Sequence, residues 1–188
     1  MVASVSSRRT VFGQFAKLAL RFWRRREGAT AVEFGLIAVP FILIIMATVQ
    51  TAIVYMAQQE LETVTEQASR YILTDQSTNS TQAQFAQTVC NQVSALFNCN
   101  NLMINVVNYG TGTNFSTATT TAPTLTYNSN GTVSNTWSFS PGTNGSIVVV
   151  QVMYQWPIYL KPFSFNLANL PNGNRLLMAT AVFRNEPL

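Results

Sequence analysis

The stretch Glu27-Gly28-Ala29-Thr30-Ala31-Val32-Glu33-Phe34, running on into a long apolar segment that reaches Ala57, decides how this chain is organised. Phe34 to Ala57 is 24 residues without a formal charge. As a helix rising about 1.5 Å per residue it spans roughly 36 Å, enough to cross a hydrocarbon layer of about 30 Å. An ordinary secretory signal has a shorter apolar region, about 7 to 15 residues, closed by a small-residue cleavage site, so this segment reads as a membrane span over 34–57.

Outward from that stretch, the charges give an orientation. Seven of the eleven basic residues (Arg8, Arg9, Lys17, Arg21, Arg24, Arg25 and Arg26) precede the span with no acid among them, whereas Glu60, Glu62 and Glu66 follow it. A basic flank stays in the cytoplasm, so everything beyond Ala57 is expected on the exported side. Residues 1–28 carry a balance of +6 and residues 29–188 a balance of −2, so the basic character of the whole chain belongs to the leader. The exported part has only Arg70, Lys161, Arg175 and Arg184 as cations, no cluster to follow a phosphate backbone, and nucleic-acid binding has no support.

The junction has its own chemistry. Gly28 has no side chain, so the bond that follows it can be held extended and approached closely by a protease. Glu33 stands at the border of the apolar run, where an ionised carboxylate is costly, up to about 2.5 to 3.5 kcal/mol at mid-membrane, and needs a partner. A cut after Gly28 would create one: the new α-amino group of Ala29, whose reference pKa is about 7.7 to 8.0, would lie one helical turn from residue 33 on the same face. The plainer reading is an interfacial Glu favoured by a helix N-terminus. Pro40, inside the span, removes the hydrogen bond to the carbonyl of Leu36 and predicts a kink.

Gly28 and Glu33 have the spacing of a prepilin processing site, in which a membrane peptidase cuts after Gly and Glu becomes the fifth mature residue. With the Glu33-Phe34 pair and Pro40 downstream, the segment resembles the TadE-like family of minor pilins and pseudopilins of tight-adherence (Flp-type) pili. The ending Thr180-Ala181-Val182-Phe183-Arg184-Asn185-Glu186-Pro187 also resembles that family. The resemblance implies processing between Gly28 and Ala29, a docking role for Glu33 and Phe34, and a pilin-like fold. It implies as partners a prepilin peptidase, other pilin subunits in a hetero-oligomer and an inner-membrane assembly platform. Gln50 departs from the acid that many relatives carry late in the helix.

Beyond the span, Ala57, Leu61, Val64, Ala68 and Tyr71/Ile72 recur at alternating intervals of four and three, so the helix is expected to continue to Leu73 as one rod of roughly 66 Å with an apolar stripe on its outer half. Thr81-Gln82-Ala83-Gln84 reads as a capping box opening a second helix that ends near Phe97. Cys90 and Cys99 are the only cysteines, and in an exported compartment they are expected to be bonded. A helix continuing through residue 99 would separate their α-carbons by more than about 13 Å, so the chain must turn back, with Asn98 and Asn100 supplying the turn. Leu102–Tyr109, Ile147–Trp156 and Leu176–Phe183 read as strands, the second central because it is apolar on both faces until Gln151 and Gln155. The Asn/Thr/Ser/Gly-rich stretch 110–145 reads as a surface loop with hairpin character and a possible strand over Val133–Phe139.

The expected architecture is therefore α+β and pilin-like: a leader over 1–28, a long helix over 29–73, and an exported domain over 74–188 with a second helix and a small antiparallel sheet. An enzyme is not expected, since the chain has no His, no metal-ligand spacing and no phosphate-cradling glycine loop, and no cofactor is implied. Tyr154, Trp156, Tyr159, Phe163 and Phe165 around Pro157 and Pro162 read as a core strand leading into an edge loop rather than a ligand surface. Two functions follow. One is a structural minor pilin or pseudopilin, cut after Gly28, resident in a bacterial inner membrane with its domain in the periplasm and later incorporated into, or priming, a pilus that serves adhesion. The other is an unprocessed single-pass anchor carrying a ligand- or partner-binding module.

Overall fold

Helix α1 runs from Ala29 to Leu73 in a computed structural model that describes residues 28–74, 81–93, 96–112, 114–120, 123–159 and 165–186. The basic leader before Gly28, and with it Asp75, Lys161, Pro162, Phe163 and Pro187, lies outside the described residues. The chain divides into two units, Met1–Met46 and Ala47–Leu188. In the first, every described residue is at least partly exposed, Phe34 and Leu36 by about three quarters. In the second, burial along α1 begins at Val54 and continues through Ala57, Leu61, Val64, Thr65, Ala68 and Ile72. Those intervals of three and four place one stripe on one face, as the 3.6-residue period requires. Thr65 is tolerated there because its hydroxyl donates to the carbonyl of Leu61 at 2.7 Å. Thr74 ends the helix, its amide and hydroxyl both bonding the carbonyl of Arg70 at 3.0 Å.

Helix α2, Gln82–Val93, opens on the expected capping box: the Gln84 amide donates to Thr81 Oγ1 at 3.3 Å, and the Thr81 amide to Gln84 Oε1 at 2.9 Å. Its buried face is Phe85, Val89, Cys90 and Val93. The helix is described as far as Val93; residues 94–95 lie outside the described residues, and beyond them the amide of Phe97 donates to the carbonyl of Val93 at 3.1 Å. Asn98 then caps a 3-10 turn over Cys99–Asn101, its side chain accepting from the amide of Asn100. This reversal brings Cys90 and Cys99 into a disulfide with α-carbons 5.4 Å apart.

Strands β1 (Leu102–Asn108), β2 (Ile147–Trp156) and β3 (Arg175–Arg184) form an antiparallel sheet in the order β1-β2-β3, so the apolar strand is central as expected. Val148, Val150, Val152 and Tyr154 face the main core, which they share with the stripe of α1, the buried face of α2, Ile104, Val106, Leu177 and Ala179. Phe97 meets Tyr154 and Trp156 edge-on at 4.9 and 5.7 Å. On the opposite face, Ile147 and Val149 pack with Ala118. Gln151, also on that face, is buried but not orphaned, because Asn105 Nδ2 on the paired strand donates to its Oε1 at 2.8 Å.

The stretch 110–145 departs from the sequence reading in two respects. A short helix, α3 (Phe115–Thr120), was not foreseen, because Ser and Thr are weak helix formers. It is held by the carbonyl of Asn114 accepting from the amides of Thr117 and Ala118, and by burial of Ala118. Val133–Phe139 is not a strand. Val133 bridges Tyr127 and Phe139 bridges Val106, each singly, so the loop contributes a tight hairpin at one point and one rung beside β1 at another.

Candidate functional site

The Gly28 junction stands at the start of α1. Gly28 is exposed, and Ala29 is the first residue of the helix. A Cβ built on Gly28 meets nothing within 4 Å, so the protein's own packing does not require glycine there. Ala29 and Glu33 are separated by four helical positions and lie on one face. Glu33 is exposed and has no hydrogen-bond or ion-pair partner among the described residues. Phe34 beside it is 75% exposed. Glu33 and Phe34 thus present a carboxylate and a ring on adjacent exposed positions, with nothing in the described fold to engage either.

Along the following turns, Ile37, Val39, Phe41, Ile42, Ile44 and Val49 are also exposed. No residue of α1 before Val54 is buried, and the most apolar window of the helix has a mean hydropathy of 2.4. Length and composition suit a membrane span, and exposure of this many apolar side chains demands an apolar surrounding. Pro40 sits within the helix, which continues on both sides of it. Gly35, one turn earlier, has open space at its Cβ position.

The junction and the apolar turns coincide with a known pattern. Residues 28–70 match the TadE-like protein family. The matched span opens on Gly28 and closes at Arg70, in the last turn of α1, so the TadE-like region is this helix with the glycine before it. All residues from 71 onward, the C-terminal stretch 180–187 among them, fall outside it. No curated protein and no solved structure matches the chain significantly.

Of the other residues marked in the sequence, the two cysteines and part of the aromatic group serve the fold. Cys90 and Cys99 tie the end of α2 to the start of β1. Of the aromatic group, Tyr154 is in the core and Trp156 packs against it, whereas Tyr159, at 86%, and Phe165 are exposed. What sequence reasoning missed is an amide-lined groove on the domain that follows α1, whose residues come from four separate segments. Only the density of Asn in those segments hinted at it.

Proposed function

We propose that the protein is a TadE-like minor pilin or pseudopilin of a bacterial tight-adherence pilus, a structural rather than catalytic subunit. The observation that carries this reading is the coincidence, inside the family-matching span, of an exposed Gly28, a helix starting at Ala29, and an apolar helical surface with no buried residue before Val54. A prepilin peptidase removes residues 1–28 on the cytoplasmic side. The α1 segment then holds the subunit in the inner membrane, with the domain in the periplasm, until the assembly platform transfers it into or beneath a pilus used for adhesion.

Glu33 supplies the register. In the membrane, and later among packed helices, its carboxylate is stabilised by the Ala29 α-amine of its own or a neighbouring chain, since an unpaired charge in that setting is costly. Pairing between chains fixes their axial offset. The test is complementation: in cells lacking the subunit, the wild-type chain restores pili and Glu33→Gln does not, although both are processed. Full piliation with Glu33→Gln would remove the assembly role.

A further inference from the structure

The face of the sheet turned away from α1 is closed at one end by α3, over Ile147 and Val149, and at its other end it carries a groove of about 310 Å³. That volume is at the lower end of the range for small-ligand sites, about 300 to 1,000 Å³. Five carboxamides line it, Asn100 and Asn101 from the 3-10 turn, Gln155 from the end of β2, and Asn172 and Asn174 from the connection to β3, with Thr132 on the rim. Met103 and Val133 give it an apolar wall. No lining residue carries a charge.

We propose that this groove binds a neutral sugar residue. A carboxamide offers a donor and an acceptor side by side, as does each hydroxyl of a hexose, so a ring of amides matches vicinal hydroxyls without ionic attraction. The absence of charge among the lining residues disfavours phosphate, carboxylate and cationic ligands, which need a counter-charge. The walls are partly pre-set: Asn172 Nδ2 donates to Gln155 Oε1 at 2.9 Å, and Asn172 Oδ1 accepts from the amide of Asn174 at 3.0 Å. The hairpin turn carrying Thr132 abuts the same connection, since a Cβ on Gly131 would lie 2.7 Å from the backbone nitrogen of Asn172. Asn100, Asn101 and Asn174 spend none of their side-chain hydrogen-bonding groups within the described structure, leaving them for a ligand. Met103 and Val133 suit the C–H face of the ring. The proposal does not depend on pilus assembly.

The full chain, labelled at its methionine methyl carbons and held in phospholipid nanodiscs, is titrated with glucose, galactose and mannose while methyl NMR spectra are recorded. Glycoside detergents are excluded because their headgroups are sugars. The Met103 signal is expected to shift saturably with at least one sugar while that of exposed Met56 stays in place. Asn101→Ala and Asn174→Ala are each expected to weaken the fitted affinity about tenfold, the loss of one or two hydrogen bonds. An unchanged signal from buried Met153 confirms that the variants fold. No saturable shift at Met103 up to the solubility of all three sugars would overturn the proposal. So would equal shifts at Met56, or affinities unchanged in both variants.

Discussion

At Gly28 the described fold does not itself call for glycine, and in the proposed function it is the peptidase that does. Open space surrounds its Cβ position, so Gly28→Leu is expected to leave the C-terminal domain as stable as wild type while the chain accumulates at full length, measured by intact mass. A domain destabilised by that change would mean that glycine serves folding instead. Glycine has the opposite meaning at Gly131. There φ is +72° and an added Cβ would press on the backbone of Pro171 and Asn172. Gly131→Ala is expected to cost about 1 to 3 kcal/mol in denaturant unfolding. The buried Asn105–Gln151 pair is a third case: Asn105→Ala removes the partner of Gln151 and also the acceptor for the Ser138 amide, an expected loss of about 1 to 3 kcal/mol.

At the scale of elements, the outer half of α1 holds the domain together through its stripe. Leu61 is fully buried between neighbours at Ala57 and Val64, and Leu61→Ala is expected to destabilise the domain by about 2 to 5 kcal/mol, read from the chemical-denaturation midpoint. Reducing Cys90–Cys99, which closes a short loop, is expected to cost about 2 to 3 kcal/mol in the chain-entropy model. These elements were legible because strong local signals agreed with the tertiary outcome. Ala57, Leu61, Val64 and Ala68 kept helical spacing, Thr81 and Gln84 formed the capping box, and the run Ile147–Val150 had no polar face to leave in water. The stretch 110–145 was less legible because its structure is imposed from outside. Helix α3 exists through the burial of one alanine, Ala118, and Phe139 is placed by a single rung to Val106. Of the amide groove only the local density of Asn was legible, since residues 100–103, 132–133, 155 and 172–174 meet only through the register of the sheet and the turns at its end.

For the whole molecule, hydropathy and charge divide the labour along the chain. The net positive charge lies wholly in residues 1–28, the first turns of α1 are exposed apolar surface, and the domain from Val54 onward has a core of its own. The central claim is that the functional protein begins at Ala29, and the most direct measurement is N-terminal sequencing, with intact mass, of the protein recovered from its native membranes or pili. The account predicts a chain starting Ala29-Thr30-Ala31-Val32-Glu33 and lacking residues 1–28. A chain starting at Met1, or anywhere other than Ala29, would contradict it.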